Sequence, residues 1–535
     1  MGGGLVGAGL QISGAGRGGE QAQKAGGGQQ DGTIHGMVPG LCFTVAPVWA
    51  LRRGFSSPAW IRVFRAVQIA RSLPASGPFR PASRSPRQRC RHVPQGGGGY
   101  RPAVPASIRC RAGSALIRTQ VASERPAMSA AVEEPLNPAA TPTGTQPLRI
   151  AVVGAGSSGL LLALLLQRQG HRVCLFEKAP ELRPEGCGIL LVRNGVEAIA
   201  AAGIEGLLAE LLEAGLPVSR FVVRNLRGDL INSSEAEREP GELPSLLIQR
   251  RAILEPMARR LAHGVFRPGS ALLSWSQDAE GVEAHFADGS YWRGDLLVGA
   301  DGIHSRVAPQ LAPLRRLSYL GDRVWRGVVP DDQFCRDGEF FVYARGRGVY
   351  ANVFDLGRDR DGIPLTHWGF FQEEILPASR DEQRRLLREP VPEQALAKLP
   401  ADLAALIRAT PSDRQVANWS FDIDPLPALA VGRVALLGDA GHAMSSSQAR
   451  GMTAGLEDAL ALARQLEAAH GAAAGQRQNA VLTAVERYNA ERLPVVHRYQ
   501  ERSREVSART GRLRRPQVAV GPVSSQPANP ATAAA

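Results

Sequence analysis

The sequence predicts an α/β fold in which a parallel sheet carries an inserted, mainly antiparallel β-sheet domain and a long C-terminal helix. Three observations predict it. A strand, glycine turn, helix and second strand open at Leu148; two later apolar strands each end in a glycine close to an aspartate; and β-rich segments separated by turn residues fill 322 to 372.

In chain order, residues 1–145 are rich in Gly, Ser, Pro and Arg, and such a composition cannot bury enough apolar surface to offset chain entropy. A disordered leader is expected there. Strands are then expected at 148–153 and 172–176 around a Leu-rich helix at 157–169, followed by a Gly-rich loop near 186–188, a helix at 194–202, a strand at Leu246–Ile248 and a helix at 251–261. Two strands, 281–287 and 291–298, flank Asp288-Gly289, a hairpin signal because both residues tolerate positive φ. β-Rich runs follow at 322–330, 339–344, 348–355 and 366–372. A strand at 431–437, a helix at 451–470 and a long charged helix at about 479–512 complete the ordered part. The Ala/Pro/Ser tail at 513–535 is expected to be disordered.

The formal charge of +13 suggests a polyanion partner until it is located. Residues 1–145 hold 16 Arg and 1 Lys against five acids, whereas the rest of the chain has 46 basic and 45 acidic residues. The basicity belongs to the leader, so no nucleic-acid partner is expected for the body. Leu51–Leu73 mixes Arg with Trp60, Phe64 and Ile69 and contains no acid, the character of an organelle transit peptide. A plastid is favoured over a mitochondrion. The alternative is translation from Met37 or Met128, which leaves the protein cytoplasmic. Cys174, Cys187 and Cys335 have no metal-ligand spacing, so no metal is expected. No run approaches the ~20 apolar residues of a membrane span, although peripheral membrane contact stays open for a lipophilic substrate.

Chemistry is carried by three segments. The first is Ile150-Ala151-Val152-Val153-Gly154-Ala155-Gly156-Ser157-Ser158-Gly159. Gly154 allows a tight turn, Gly156 lets backbone approach a pyrophosphate, and Gly159 lets helix and strand pack closely, so the unit is Rossmann-like. The helix N-terminus offers free N–H groups to phosphate. Glu177, at the end of the second strand, is placed to accept ribose hydroxyls. In the second segment, Asp295 to Val307, an apolar strand delivers Asp301-Gly302 into a turn. In the third, Arg433 to Met444, a strand ends in Gly438-Asp439, and the helix beginning Gly451-Met452 could face an anionic ring edge.

Three such motifs in this order resemble the FAD-dependent single-component monooxygenases, the family of para-hydroxybenzoate hydroxylase, salicylate hydroxylase and zeaxanthin epoxidase. The resemblance covers about 146–510 and extends to Glu177-Lys178-Ala179-Pro180, Gly186-Cys187-Gly188, Gln249-Arg250, Val324-Trp325-Arg326-Gly327 and Tyr488 to Pro494. It implies a glutathione-reductase-type FAD-binding domain over 146–215, 246–318 and 429–475, a substrate domain over 216–245 and 319–428, and a C-terminal helix over 476–512. It also implies that NADPH or NADH reduces FAD and that O2 then forms a flavin C4a-hydroperoxide. This species hydroxylates or epoxidises an aromatic or other electron-rich small molecule. An FAD-dependent NAD(P)H reductase or oxidase and a non-catalytic binding protein are the alternatives.

Carried over by position, Gly154, Ala155, Gly156, Ser158 and Gly159 cradle the pyrophosphate, and Glu177 and Lys178 lie at the adenosine ribose. Arg250 contacts FAD, with Arg251 one register away. Asp301 and Gly302 lie in a motif used for FAD and NAD(P)H. Gly438 and Asp439 hold the ribityl chain, and Arg450, Gly451 and Met452 meet the pyrimidine edge. No catalytic acid or base can be assigned. Where the family commonly has Pro and then Gly-Gln-Gly, this chain has Ser446 and Ala449-Arg450-Gly451, which leaves the mobility of the loop open. His442 is expected to be a structural turn histidine, and Arg326 structural or at the domain junction. His367, Trp368, Phe370 and Phe371 either line the substrate chamber on one face or belong to the sheet core.

Overall fold

The computed structural model describes residues 147–182, 187–331, 333–470 and 476–511. The expected leader and tail, and most of the Glu181–Gly186 stretch, lie outside them. The strands Arg149–Val153, Arg172–Phe176, Leu296–Gly299 and Val434–Leu436 are parallel neighbours, with Val153 opposite Phe176 and Gly299, and Gly299 opposite Leu436. Their carboxyl ends therefore form one edge. Phe266–Arg267 and Ala430–Val431 complete a six-stranded sheet. The helix Ser157–Arg168 is buried without a break from Ser158 to Leu166. It packs between this sheet and the helix Gly451–His470, which accounts for its apolar composition on every side.

Two expected strands are each divided. Tyr291–Gly294 belongs to a separate three-stranded antiparallel sheet, and only Leu296–Gly299 enters the parallel one. The step falls at Asp295, whose carboxylate accepts the Arg149 N–H at 2.7 Å and pairs with Arg477 at 2.8 Å. In the other, Gly432 turns the chain at φ +60°, so Ala430–Val431 folds back on Val434–Leu436.

The second domain is a seven-stranded sheet in the order 415–423, 317–330, 364–373, 349–358, 339–346, 220–224, 230–235. Its pairs are antiparallel except 220–224 with 339–346. Leu216–Pro217 pairs instead with Leu246–Leu247, so the chain crosses into this sheet only at Arg220. Three helices, Arg380–Leu386, Glu393–Leu396 and Ala401–Ala409, were not expected. The last two cover the outer face, packing Leu396, Leu403 and Ile407 on Trp325, Trp368 and Phe370. Trp368 and Phe370 are thus sheet core. At one end the inner face packs Phe354, Leu365 and Val328 against Leu190, Leu216 and Leu247 of the first domain.

The helix Arg477–Arg509 runs along the helix Gly451–His470. It also ties the domains together: Gln500 Nε2 donates to the carbonyls of Ile423 and Ala443, and Arg504 pairs with buried Asp422 at 2.9 Å.

Candidate functional site

The carboxyl ends of four adjacent parallel strands bring Gly154–Gly159, Glu177, Asp301-Gly302 and Gly438-Asp439 to one edge, where ligands of open α/β sheets bind. The glycines have separate tasks. A Cβ on Gly154, which has φ +104°, would lie 2.4 Å from the Ala300 carbonyl oxygen, and one on Gly159 would lie 2.0 Å from the Gly154 carbonyl oxygen. Both are packing requirements. Around Gly156 no atom lies within 4 Å of a Cβ, so that side of the turn is open to a ligand. Ser158 does not face this opening. Its hydroxyl wedges between Gly438 and Gly455, where a Cβ would approach it to 2.9 and 2.1 Å.

Glu177 accepts the N–H of Ala155 through Oε2 at 2.9 Å and that of Ala179 through Oε1 at 3.0 Å. It fixes the glycine turn and keeps lone pairs for further donors. Lys178 is exposed beside it. Asp301 Oδ2 accepts the Arg306 N–H at 2.6 Å, whereas buried Oδ1 meets no partner among the described residues. An orphaned carboxylate oxygen at this edge suits a ligand hydroxyl. Gly302 follows at φ +76° with open space where a Cβ would be.

Asp439 lies deep in the protein yet its side chain is solvent-exposed, so it faces a cleft. Burial raises its carboxyl above the ordinary value, against the opposing charges of His442, Arg250 and Arg315. Arg250 is half-buried and its charge acts on Asp439, while Arg251 is exposed. Arg315 carries no motif and was missed in the sequence. Its guanidinium donates to the Ile303 carbonyl at 2.7 Å and the Ala440 carbonyl at 3.3 Å, bridging the two Gly/Asp turns.

Beneath Gly438 lies a buried charge network. Asp458 Oδ2 accepts the Gly438 N–H at 3.0 Å and lies 2.5 Å from His442 Nε2, and Oδ1 accepts from Arg492 Nε at 2.8 Å. His442 is therefore a structural turn residue. Burial alone would raise Asp458, but His442, Arg492 and the Gly438 N–H outweigh it and hold the carboxyl below its ordinary value. Arg492 also pairs with Glu457 at 2.9 Å, and Glu457 accepts from the Tyr499 hydroxyl at 3.3 Å. The Arg450 guanidinium lies 5.6 Å from the Tyr499 ring centroid, and its buried Nη1 has no hydrogen-bond partner among the described residues.

Hydroxyls fasten the loop that lacks the usual proline. Ser445 Oγ lies 2.8 and 2.7 Å from the hydroxyls of Ser503 and Ser507, and Ser447 Oγ donates to the Ser503 carbonyl at 2.9 Å. Ala449 sits in the left-handed region at φ +52°, where the family-like sequence has glycine. A Cβ there costs roughly 1 kcal/mol. Ala449→Gly is expected to raise unfolding free energy by about 0.5 kcal/mol after glycine's extra chain entropy. Denaturant titration checks this, and a destabilised variant would contradict it. Gly451, half-buried, opens the following 20-residue helix, and a Cβ on it would lie 3.7 Å from Asp439 Oδ1. Met452 packs its side chain against the main core.

His367 ties Gly188, in the strand Gly188–Leu191, to the second sheet. Its Nδ1 accepts the Gly188 N–H at 3.1 Å, and the ring packs on Phe354 at 4.4 Å. Burial and the nearby Arg326 charge lower its pKa to about 3. An unfolded histidine protonates near 6.5, so between about 6.5 and 3 the unfolded chain binds more protons and stability falls with falling pH by up to about 1.4 kcal/mol per unit. Above that window the term vanishes. His367→Asn, which offers an acceptor to Gly188, is expected to lose about 2 kcal/mol less than wild type between pH 6.5 and 4.5. Urea titrations at the two pH values test it, and equal losses would refute it.

A family model described as FAD binding domain matches residues 148–503. The chain is 30% identical over 325 residues to the FAD-dependent urate hydroxylase of Klebsiella pneumoniae, covering 59% of this chain and 80% of that one. It is 31% identical over 336 residues to 6-hydroxynicotinate 3-monooxygenase of Bordetella bronchiseptica, covering 60% and 82%. Among solved structures, Klebsiella pneumoniae HpxO complexed with FAD and uric acid aligns with a TM-score of 0.56 at 25% identity over 68% of this chain and 89% of that one. A salicylate hydroxylase substrate complex aligns with 0.54 at 25% over 69% and 90%.

Proposed function

The chain belongs to the FAD-binding-domain family, and we propose that it uses NAD(P)H and O2 to insert one oxygen atom into an aromatic small molecule held between the parallel-sheet edge and the inner face of the second sheet. It is an FAD-dependent monooxygenase. Bound FAD supplies the electron transfer and oxygen activation. The observation that carries the reading is the open edge itself: backbone can approach a pyrophosphate at Gly156, Asp301 Oδ1 has no partner among the described residues, and Asp439 faces the cleft beside the N-terminus of the helix Gly451–His470. These groups fit a flavin dinucleotide, with Asp301 and Asp439 accepting hydroxyls, Arg250 beside Asp439, and Arg450 with the helix end favouring negative charge on the ring. An aromatic substrate is supported by the substrates named for the similar proteins, urate, 6-hydroxynicotinate and salicylate.

The purified chain should be yellow and should oxidise NAD(P)H faster with its substrate, giving a product heavier by one oxygen. A colourless protein unable to take up FAD would sink the reading. NAD(P)H oxidation without oxygen insertion for any aromatic tested would favour a reductase or oxidase. Asp439→Ala, which removes a carboxylate acceptor for hydroxyls, is expected to weaken FAD binding about tenfold or more. Unchanged occupancy after dialysis would refute that role. We further propose that residues 1–145 direct the enzyme to an organelle, a plastid rather than a mitochondrion, supported by the acid-poor Arg-rich run Leu51–Leu73. A fluorescent fusion of 1–145 that stays in the cytosol would overturn this.

A further inference from the structure

The second sheet turns Trp325, Trp368, Phe370, Ala351 and Val353 outward, so the alternating residues Arg326, Gly369, Phe371, Tyr350 and Asn352 lie on the inner face. Gly369 is registered opposite Arg326 on one side and Asn352 on the other. A Cβ on Gly369 would lie 2.7 Å from Asn352 Oδ1, so the carboxamide oxygen occupies the space over the glycine, on the side of Arg326. That oxygen is buried and has no hydrogen-bond partner among the described residues. A buried acceptor without a donor costs free energy unless a ligand completes it.

This patch adjoins the cofactor edge. Two residues before Gly369, on the same face, His367 accepts the Gly188 N–H; the Cys187 carbonyl accepts the Arg250 N–H at 3.0 Å; and Arg250 acts on Asp439. Half-buried Tyr350 stands edge to face at 5.0 Å on buried Phe371, on the same face, and offers an apolar wall to a planar ring. Arg326 donates to Asn418 Oδ1 and adds a positive charge beside the patch.

A carboxamide presents an acceptor oxygen next to N–H donors. The group that satisfies both at once bears an N–H next to a carbonyl. A carboxylate has no proton to donate and would leave Oδ1 unpaired, facing an anionic oxygen. We infer that the substrate is a planar ring with a lactam edge, its N–H donating to Asn352 Oδ1 and its carbonyl accepting from Asn352 Nδ2, which makes Asn352 a specificity-determining residue. The inference rests on the monooxygenase reading and names its substrate class.

The test uses the FAD-loaded full chain and the visible absorption of its flavin. It is titrated with 2-quinolone and with coumarin, which has a ring oxygen in place of the N–H at nearly the same shape, and with the smaller pair 2-pyridone and 2-pyranone. In at least one pair the lactam should perturb the flavin and bind at least about tenfold tighter than the lactone. Asn352→Leu should bring the pair within about twofold at unchanged FAD occupancy. Should that variant not fold, Asn352→Asp, which exchanges the donor for a second acceptor, should weaken lactam binding at least about fivefold at pH 8. Equal binding of lactam and lactone, discrimination that survives both substitutions, or no flavin perturbation by either lactam overturns the inference. A chain that takes up no FAD refutes the monooxygenase reading instead.

Discussion

Gly159→Ala is expected to give a chain that neither holds FAD nor folds with normal stability. The new Cβ would stand 2.0 Å from the Gly154 carbonyl oxygen, and the obstructing atom is backbone at the tightest point of the first strand-to-helix turn. The helix Ser157–Arg168 must lift from the sheet to relieve it, loosening leucines buried on all sides. Overpacking of this kind costs roughly 3 kcal/mol, and the lifted N-terminus no longer aims its N–H groups at one point. Gly156→Ala is the matched control. Its φ of −77° is ordinary for alanine, and open space surrounds the added methyl. The apoprotein should therefore keep its stability within about 0.5 kcal/mol while FAD retention falls, because the methyl occupies the approach of the phosphates. Urea titration of both apoproteins and FAD occupancy after gel filtration separate the two effects. Equal destabilisation by both substitutions would show that the Gly156 side is not open, and the candidate site would lose its main support.

The contrast between these glycines was readable in the sequence because it depends on a local unit: strand, turn, helix and strand within Leu148–Glu177. The parallel sheet, the Asp288-Gly289 hairpin and both long helices were legible for the same reason, since periodicity and turn chemistry act over a few residues. The helices at 380–409 were not, being four to nine residues long and too short to show a repeat. Contacts between distant segments were also invisible. Arg315 meets Ala440 across 125 positions, the Ser445 hydroxyl meets Ser503 across 58, and Asn352 acquires its meaning only from the register with Gly369. Glu177 was placed correctly at the strand end, but its grip on the Ala155 N–H needed the fold. One signal was available and unused: Asp458 lies between the apolar residues Leu456, Ala459 and Leu462 on a helix, where a charge is retained only with a partner.

That partner is Arg492, and removing Asp458 should be among the costliest single changes in the protein. Asp458 is fully buried and serves three groups at once: His442, Arg492 and the Gly438 N–H. Asp458→Leu leaves the buried Arg492 guanidinium without its nearest counter-charge, for which roughly 3–5 kcal/mol is expected. It also frees the N–H of Gly438, whose φ of +58° shapes the turn that presents Asp439. FAD retention should fall with stability. The double variant Asp458→Leu, Arg492→Met separates the causes. Replacing both charges by apolar groups removes a buried guanidinium left with Glu457 as its counter-charge and should restore part of the lost stability. It cannot restore the acceptor for Gly438, so FAD binding should stay weak. Denaturant midpoints and FAD dissociation constants for wild type, single and double variants decide the matter. A double variant that regains FAD affinity together with stability would mean that Asp458 serves the fold alone. The acid limb gives an independent check. A carboxyl held below its ordinary value contributes stability above the unfolded pKa near 3.8 and loses it as pH falls through the lowered folded value. The difference in stability between wild type and Asp458→Leu should therefore be constant near neutrality and should shrink below about pH 4.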